Sequence, residues 1–385
     1  MKVVRQRIAI LGSTGSIGVN ALSVISALKD RFDVVALSAN SNIKLLSKQA
    51  AIFRPRIVSV GNSGLSISIK NSIPAKTKAA FGLEGLKEIV SRDDVDMVLF
   101  SISGNSCLEP LIHAIEHKKR IALANKEALV SAGSIIMRKA KENGVDVIPI
   151  DSEHSAIFQC LEGKRKYLRR IYLTGSGGPL LNVPKNRFDK LTRKFILNHP
   201  KWRMGRKISV DSATMMNKGL EIIEASHLFG VGQGDIEVLI HPEAVIHSMV
   251  ELVDGTVFAQ LGVPDMRIPI QYALTHPARL ESGLERLDFL KLGAISFTRS
   301  DEKKFPCLAL AREAARRGGA SPAALSAADE EAVKLYLDGE LKFSSIPKAI
   351  EKVLKRHVNV KNPKIDDILG ADRWAREEVR RICCH

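Results

Sequence analysis

Two carboxylates at the end of an apolar segment are the side chains most able to do chemistry in this sequence. Residues 148–153 read Ile-Pro-Ile-Asp-Ser-Glu, so Asp151 and Glu153 follow the apolar run Val145–Ile150 directly. Side chains two apart on an extended chain point the same way, and both acids are expected to face one crevice at a strand end. Carboxylate oxygens bind Mg²⁺ or Mn²⁺ and leave positions open for substrate. The alternative is a helix capped by Asp151, with Glu153 in its first turn.

A third acid occurs further along the chain. Residues 217–221 read Asn-Lys-Gly-Leu-Glu, and Glu221 could complete a three-carboxylate metal site with the two earlier acids. Lys218 and Glu221 are three residues apart on an expected helix, so their side chains share one face.

Residues 174–179, Thr-Gly-Ser-Gly-Gly-Pro, follow another expected strand and predict an anion-binding loop. Consecutive backbone amides and hydroxyls in such a loop form a nest for a phosphate or phosphonate group, with Ser176 among the donors. Ser212, Asn217 and Lys218 would add two neutral donors and a cation. A simple helix start capped by Asp211 or Ser212 is compatible with the same residues.

A glycine-rich turn near the start of the chain indicates a nucleotide cofactor. Residues 12–18, Gly-Ser-Thr-Gly-Ser-Ile-Gly, lie between the first apolar run and the helical run Val19–Leu28. Glycines in this context let the backbone approach a pyrophosphate, and the helix N-terminus supplies amide donors. The alternative is a tight turn without a ligand. Residues 38–42, Ser-Ala-Asn-Ser-Asn, contain no acid for a ribose hydroxyl, which favours NADP over NAD.

Two further segments face the expected ligand side. Lys126, within Asn125-Lys126-Glu127 after the strand ending near Ala124, could hydrogen-bond substrate or cofactor, or Asn125 could simply cap a helix. The loop 198–206 contains Trp202 among polar, proline and glycine residues, which is typical either of a hinged lid or of a loop packed on a neighbouring surface. His241, His247 and His276 are expected to be structural.

The elements that would position these residues alternate in the first half of the chain. Apolar strands are expected at 7–11, 34–37, 56–60, 97–100, 120–122 and 145–150, with amphipathic stretches between several of them. Over 1–150 this alternation predicts a Rossmann-like, doubly wound parallel sheet that binds the cofactor. Residues 151–288 predict a mixed α/β connective domain carrying the metal and substrate site, with one helix near Ala213–Phe229. Residues 289–306 are expected to be a linker, and 307–385 a C-terminal helical bundle.

Composition narrows the class of protein. The 385 residues carry a net charge of +16, and only 5% of them are aromatic. The positive charge suits an acidic partner, but the scarcity of aromatics makes a stacking platform for nucleic acid a poor fit, and a phosphorylated small substrate explains the charge as well. Five cysteines without metal-ligand spacing indicate free thiols. No apolar run is long enough to span a membrane, and the start has no signal-peptide pattern, so a cytoplasmic protein is expected.

Several of these segments together resemble one family, the 1-deoxy-D-xylulose 5-phosphate reductoisomerases of the non-mevalonate isoprenoid pathway. The resemblance runs in family order through residues 12–18, 124–127, 151–159, 173–179, 199–221, 241–250 and 264–267. It implies NADPH, one divalent cation (Mg²⁺, Mn²⁺ or Co²⁺), a homodimer, and neither a nucleic-acid nor a membrane partner. One departure is Ala39-Asn40-Ser41, where the family commonly has Ala-Gly before a basic or small residue.

The resemblance also implies roles for individual residues. The expected metal ligands, also counted as catalytic together with Lys126, are Asp151, Glu153 and Glu221. The expected substrate contacts are Lys126, Ser152, Glu153, Ser176, His199, Trp202, Ser212, Asn217, Lys218 and Glu221, with His199 and Trp202 on a mobile lid. The expected NADPH contacts are Thr14, Gly15, Ser16, Ile17, Asn40, Asn42, Asn125, Glu127 and Gly205.

The implied reaction rearranges the carbon skeleton of 1-deoxy-D-xylulose 5-phosphate to a branched aldehyde. NADPH then reduces that aldehyde to 2-C-methyl-D-erythritol 4-phosphate. Two alternatives stay open at this point. A metal-independent NAD(P)-dependent dehydrogenase would not need the three acids, and a redox-sensing regulator that binds NADPH without turnover would have no use for an anion loop and a lid.

Overall fold

The computed structural model describes residues 5–62, 64, 66–202 and 204–383. Arg203, within the predicted lid, lies outside the described residues. The chain forms two compact units. Unit 1 comprises 1–128, 134–155 and 265–284, and unit 2 comprises 129–133, 156–264 and 285–385. The sequence-based division at 150, 288 and 306 stays a prediction.

Unit 1 is built on a parallel sheet of seven strands. In chain order these are β1 (Gln6–Leu11), β2 (Phe32–Ala39), β3 (Ile57–Val60), β4 (Lys78–Phe81), β5 (Met97–Phe100), β6 (Arg120–Leu123) and β7 (Val147–Pro149). Their spatial order is β4-β3-β2-β1-β5-β6-β7, which confirms the doubly wound, Rossmann-like prediction. Strand β4 was not predicted; it is a short edge strand in which only Ala80 is buried.

Sixteen α-helices are found in the part of the chain that the structure describes. They are α1 (Ser16–Ala27), α2 (Ile43–Phe53), α3 (Ser66–Lys70), α4 (Gly82–Ser91), α5 (Leu108–Glu116), α6 (Lys126–Asn143), α7 (Ser152–Cys160), α8 (Arg193–Leu197), α9 (Arg206–Thr214), α10 (Met216–Phe229), α11 (Arg267–Thr275), α12 (Phe289–Leu292), α13 (Pro306–Arg317), α14 (Ser321–Asp338), α15 (Ile346–Arg356) and α16 (Ile365–Cys383). None of those described is long and apolar enough to cross a membrane.

The strand order of unit 1 reverses between β1 and β5, and this is where such sheets bind ligands. Gly12, the first residue after β1, has a φ of 93°. A Cβ added there would lie 2.6 Å from the carbonyl oxygen of Ser101, the residue after β5. Only glycine allows the two loops to approach so closely. Because the strands are parallel, Asn125 after β6 and Asp151 beyond β7 lie at the same edge of the sheet.

Unit 2 contains a mixed sheet of five strands. They are β8 (Leu168–Gly175), β9 (Ile236–Ile240), β10 (Ile246–Leu252), β11 (Val257–Leu261) and β12 (Thr298–Arg299), in the order β11-β10-β8-β9-β12. Strands β8 and β9 are parallel, and the remaining pairs are antiparallel. Strand β10 alternates buried and half-buried residues, as expected for a sheet with one covered face.

The helix predicted over Ala213–Phe229 is in fact two helices. Met215 adopts a left-handed conformation, with a φ of 61°, and separates α9 from α10. Helix α10 then packs closely on α13, since a Cβ added at Gly219 would lie 2.4 Å from the Cβ of Ala311. The C-terminal part, α13 to α16, is helical as predicted. This packing holds α10, which carries three of the predicted site residues, against a buried scaffold.

Candidate active site

The glycine turn of unit 1 is shaped by close packing of α1 on the residues before it. A Cβ added at Gly18 would lie 2.4 Å from the carbonyl oxygen of Gly12 and 2.5 Å from the Cα of Ser13. Gly15 is the N-cap of α1 and has no side chain to satisfy the first-turn amides. These amides can therefore donate to a pyrophosphate. The remaining predicted contacts of this turn are at least partly exposed: Thr14, Ser16 and Ile17.

Asn40 and Asn42 lie beyond the end of β2, and both are exposed. The carboxamide oxygen of Asn42 accepts a hydrogen bond of 3.1 Å from the amide of Leu45 and so caps α2. The loop presents two amides and no carboxylate, which is compatible with a cofactor that carries an extra phosphate on its ribose.

Asn125 links the loop after β5 to the start of α6. Its oxygen accepts from the amide of Ala128 at 2.7 Å, and its nitrogen donates to the carbonyls of Ile102 at 2.6 Å and Gly104 at 2.9 Å. The helix-capping interpretation of Asn125 is therefore correct. Glu127, the second residue of α6, is half-buried beside this loop.

Lys126 and Asp151 form an ion pair that is nearly closed to solvent. The ammonium nitrogen lies 3.0 Å from Oδ2 of Asp151, and the two side chains are 7% and 15% exposed. His154, which is fully buried, places Nδ1 at 3.6 Å from the other oxygen of Asp151. His154 was not among the predicted site residues, although its position three residues after Asp151 at a helix start was a usable signal.

Asp151 and Glu153 do not lie on an extended segment, so that part of the prediction was wrong. Strand β7 ends at Pro149, and α7 begins at Ser152, which puts Glu153 in the first helical turn. The amide of Glu153 points at Oδ1 of Asp151 at 3.4 Å, and the hydroxyl of Ser152 donates to the carboxylate of Glu153. The helix-start alternative therefore describes the backbone correctly. Each carboxylate can accept about four hydrogen bonds, so both keep lone pairs that these contacts do not use.

In unit 2 the glycine loop after β8 packs against α9. Gly177 and Gly178 have φ values of 82° and 67°, and a Cβ on Gly178 would lie 2.7 Å from the carbonyl oxygen of Ser212. The amide of Gly178 donates to the hydroxyl of Ser176 at 3.3 Å. The hydroxyls of Ser176 and Ser212 therefore both lie beside this loop, and its use as an anion site stays a prediction. Gly205, the N-cap of α9, is exposed.

Lys218 and Glu221 meet on one face of α10, as their spacing predicts. The ammonium of Lys218 donates to Oε2 of Glu221 at 2.5 Å and to the carbonyl of Thr174 at 2.9 Å. The amide nitrogen of Asn217 donates to the other oxygen of Glu221, also at 2.5 Å. A Cβ on Gly175 would lie 2.9 Å from Cε of Lys218, so the glycine gives the lysine its path. Both charged groups are buried.

The predicted lid is connected to the anion loop through a histidine. Nε2 of His199 lies 3.1 Å from the hydroxyl of Ser176, and Nδ1 accepts from the amide of Trp202 at 2.9 Å. The indole ring packs near His247, with 6.2 Å between ring centroids. His247 was expected to be only structural, and its contact with Trp202 could not be read from the sequence. His241, by contrast, accepts from two backbone amides and is structural as expected.

Asp211 does not cap a helix, because it lies inside α9, in a buried charge cluster that was not predicted. The ammonium of Lys207 lies 2.7 Å from Oδ2 of Asp211 and 3.1 Å from Oδ2 of Asp329, and both carboxylates are closed to solvent. Burial raises the pKa of Asp211, and the neighbouring charge of Asp329 raises it further. Burial also raises the pKa of Asp329. The four-residue spacing of Lys207 and Asp211 indicates that they can pair on a helix. Nothing in the sequence indicates that Asp329, on α14, joins them.

Comparison with known proteins covers nearly the whole chain. Profiles described as 1-deoxy-D-xylulose 5-phosphate reductoisomerase, 1-deoxy-D-xylulose 5-phosphate reductoisomerase C-terminal domain and DXP reductoisomerase C-terminal domain match residues 8–133, 147–229 and 261–378. The reductoisomerase 1 of Bacillus cereus is 48% identical over 376 residues, 97% of this chain and 98% of that one. The reductoisomerase of Acetivibrio thermocellus is 50% identical over 378 residues, 98% of this chain and 99% of that one.

This chain belongs to the 1-deoxy-D-xylulose 5-phosphate reductoisomerase family. It is therefore an oxidoreductase of the isoprenoid pathway (EC 1.1.1.267), as expected. Both alternatives, a metal-independent dehydrogenase and an NADPH-binding regulator, are thereby set aside.

Solved structures of the family have the same fold. The Zymomonas mobilis reductoisomerase in complex with NADPH superposes with a TM-score of 0.92 at 40% identity, covering 99% of both chains. A DOX-P reductoisomerase in complex with NADPH, fosmidomycin and magnesium gives a TM-score of 0.93 at 38% identity, covering 98% of this chain and 99% of that one. Asp151 and Glu153 belong to unit 1, and Glu221 and the anion loop belong to unit 2. Their assembly into one reductoisomerase site is a proposal.

Proposed function

We propose that this protein converts 1-deoxy-D-xylulose 5-phosphate to 2-C-methyl-D-erythritol 4-phosphate with NADPH and one divalent cation. Family membership supports the reaction, and relatives solved with NADPH and magnesium support the two cofactors. The observation that carries the proposal in this chain is the buried pair of Lys218 and Glu221 beside the glycine loop, joined by the half-buried Asn217. The lysine ammonium and the asparagine amide can bind a phosphate, and the glutamate carboxylate next to them can bind a metal.

We assign the cation to Asp151, Glu153 and Glu221. All three offer carboxylate oxygens, the ligands that Mg²⁺ and Mn²⁺ prefer. When bound, the cation supplies Lewis-acid stabilisation of negative charge on substrate oxygens, and NADPH supplies the hydride. Lys126 neutralises Asp151 within unit 1 and holds a proton donor next to that acid. Ser152, between the two acids, is assigned to the substrate.

We assign the phosphate of the substrate to the anion loop and its neighbours. Ser176 and Ser212 contribute hydroxyls, Asn217 contributes amide hydrogens, and Lys218 contributes the charge. Phosphate held at a fixed point orients the rest of the molecule, because binding energy from a remote group is available to position the reacting carbons. Lys218 is prepared for this role, since Thr174 and Glu221 already hold its ammonium in place.

We assign the lid role to the loop that carries His199 and Trp202. His199 lies within hydrogen-bonding distance of Ser176. A ligand that binds the serine would therefore act directly on the position of the lid. Trp202 would then cover the substrate with an apolar surface and exclude water from the reaction. NADPH would bind along the first-turn amides of α1, with Asn40 and Asn42 near its adenosine end and Asn125, Glu127 and Gly205 as further contacts.

We further infer a homodimer in which the edge strand β11 contributes contacts. Val257 and Phe258 on this strand are 48% and 37% exposed, although both are large and apolar. An apolar edge strand with free backbone groups is a template for pairing with another chain. Phe258→Lys should shift the protein from dimer to monomer in analytical ultracentrifugation, and an unchanged sedimentation coefficient would contradict the assignment. A cytoplasmic location is likewise a proposal, to be checked by cell fractionation.

The reaction is tested with the purified full chain, NADPH, 1-deoxy-D-xylulose 5-phosphate and Mn²⁺. We expect NADPH to be consumed and a product with the mass of 2-C-methyl-D-erythritol 4-phosphate to form. A chelator should stop the reaction, and added Mn²⁺ should restore it. NADPH consumption that persists in the chelator, or that does not require this substrate, would overturn the proposal.

A further inference from the structure

A cavity in unit 2 is not used by any step of the proposed reaction. It has a volume of about 810 Å³, which is in the range of roughly 300–1,000 Å³ that small-molecule sites occupy. Its walls are mainly apolar and are formed by Phe188, Leu310, Pro306, Phe305, Phe343 and Pro347.

The aromatic wall of this cavity is an ordered cluster. The ring of Phe188 stacks on Phe305 with 6.1 Å between centroids and meets Phe343 edge-on at 5.7 Å. Ser344 donates two hydrogen bonds to Asp189, of 2.9 Å and 2.6 Å, and so ties the segment before α15 to the segment that carries Phe188. The walls are therefore already ordered by packing and by hydrogen bonds. An apolar group could bind there without the entropic cost of ordering them.

Three lysines line the cavity: Lys185, Lys304 and Lys348. Lys185 and Lys348 are exposed, so their charges lie where the cavity meets solvent, at its mouth. Lys185 donates to a backbone carbonyl at 2.6 Å, and Lys304 does the same at 2.7 Å, so neither of these bonds neutralises the charge.

Two acids also line the cavity, and each is paired with a base on its own helix. Glu313 pairs with Arg316 at 2.6 Å and with Arg317 at 2.9 Å, and Glu351 pairs with Lys355 at 2.6 Å. The lining therefore carries three ammonium groups against two carboxylates that are already paired, and the field favours an anion.

We propose that this cavity binds an anionic amphiphile, a soluble molecule with one apolar chain and a phosphate or carboxylate head. The phenylalanine-lined walls suit the chain, because burying apolar surface stabilises the complex by roughly 25 cal/mol per Å². The lysines at the mouth suit the head, because charge-assisted hydrogen bonds are the stronger kind. A neutral apolar molecule would leave the lysines unused, and a small polar anion would leave the walls exposed.

One residue in the lining connects the cavity to the proposed substrate site of the same unit. Thr214 lines the cavity, and its hydroxyl accepts from the amide of Met216 at 3.3 Å across the junction of α9 and α10. Ser212 and Asn217, on either side of that junction, are proposed to hold the substrate phosphate. A bound amphiphile would contact the junction, and we expect it to change the KM for substrate at least twofold.

Binding is tested by isothermal titration of the full-length protein with decyl phosphate. We expect saturable binding, at least tenfold tighter than that of decanol or of inorganic phosphate, a difference of about 1.4 kcal/mol. Equal affinity for all three probes, or no binding of decyl phosphate, would overturn the proposal. Binding only to vesicles of anionic phospholipid, with no binding of decyl phosphate or decanoate, would also overturn it.

Variants separate this cavity from the phosphate pocket of the active site. Leu310→Trp should fill the cavity and weaken decyl phosphate binding at least tenfold while turnover persists. The double variant Lys185→Met with Lys304→Met should weaken decyl phosphate binding at least fivefold and leave decanol unchanged, without filling any space. Lys334→Met, at an exposed position on α14, is the charge control and should bind as the wild type does. Unchanged affinity in both test variants, or an unchanged KM with bound amphiphile, would contradict the assignment.

Discussion

The ammonium nitrogen of Lys218 lies 2.5 Å from Oε2 of Glu221, and both side chains are closed to solvent. The contact joins the two halves of the proposed chemistry in unit 2, because the lysine is assigned to the phosphate and the glutamate to the metal. A buried pair of this kind needs further hydrogen bonds to offset its desolvation. The carbonyl of Thr174 and the amide of Asn217 supply them.

Gly175→Ala should displace Lys218 without unfolding the protein. The added Cβ would lie 2.9 Å from Cε of the lysine, so the strain falls on a long side chain rather than on the backbone and pulls the ammonium from the partners that hold it. We expect the KM for substrate to rise roughly tenfold, equivalent to about 1.4 kcal/mol, while the melting temperature changes little. Gly234→Ala is the control, because nothing lies within 4 Å of its added Cβ. Equal kinetics for the two variants would argue against a phosphate contact at Lys218.

Glu221→Gln should lower kcat/KM by at least about 100-fold, or roughly 2.7 kcal/mol, because a metal ligand loses its charge and the new amide nitrogen faces a donor, either Asn217 or Lys218. The Mn²⁺ concentration for half-maximal activity should rise as well. Glu237→Gln, on β9 and paired loosely with Arg170 at 3.6 Å, is the matched loss of a carboxylate in the same unit and should be near wild type. Normal turnover of Glu221→Gln at limiting Mn²⁺ would show that the metal assignment is wrong.

Trp202 should report closure of the lid by its fluorescence. The chain has two tryptophans, so Trp374→Phe leaves Trp202 as the single emitter. We expect its emission to shift when substrate and Mn²⁺ are added, because the indole leaves a partly exposed position near His247 for a drier one. Trp202→Ala should lower kcat/KM about tenfold. An emission spectrum unaffected by substrate, together with wild-type kinetics of Trp202→Ala, would refute the lid.

Lys126→Met should make the stability of the protein depend on the metal. The variant leaves the carboxylate of Asp151, which is 15% exposed, without the ammonium that lies at 3.0 Å. Breaking a buried pair costs up to about 3–5 kcal/mol, and a bound cation would offset that loss. We expect Mn²⁺ to raise the melting temperature of the variant by more than that of the wild type.

The control for this variant is Lys139→Met, which removes a half-buried lysine of the same helix paired with Glu116. It should lower stability slightly and show the wild-type response to Mn²⁺. If the two variants responded alike to the metal, Asp151 would not be a ligand.

Asp329→Asn should stabilise the protein, and more so at alkaline pH. Burial raises the folded-state pKa of Asp329 and of Asp211, so the folded protein binds more protons than the unfolded chain once the pH exceeds the unfolded value of about 3.9. Stability therefore falls as pH rises from that value towards the folded pKa. Replacing one acid by a neutral amide removes part of this loss.

The expected gain for Asp329→Asn is about 2–4 °C in melting temperature for each kcal/mol recovered, larger at pH 8 than at pH 5. Asp338→Asn, an exposed acid on the same helix, should show no such pH dependence. A variant less stable than the wild type at pH 8 would show that the ion pair with Lys207 outweighs the repulsion between the two acids.

Local patterns were enough to predict the parts of the fold that depend on near neighbours in sequence. Six of the seven strands of the first sheet are apolar runs with turn residues on both sides, and a run of that kind has few alternatives to a buried strand. The spacing of Lys218 and Glu221 predicted their contact for the same reason, since helical periodicity alone brings residues three apart together. Strand β4 was missed because its short sequence, Lys-Ala-Ala-Phe, is only partly buried.

The sequence alone determined the family, the order of the elements and the residue types of the site. The tertiary structure decided how those residues are held. The left-handed conformation of Met215, the helix start at Ser152 and the cluster of Lys207 with Asp329 all depend on packing. Periodicity records which face of an element is apolar, but it does not record which distant element will cover that face or which charge it brings. The chemistry of this chain could therefore be predicted from its sequence, whereas its buried charge pairs could be found only in the folded structure.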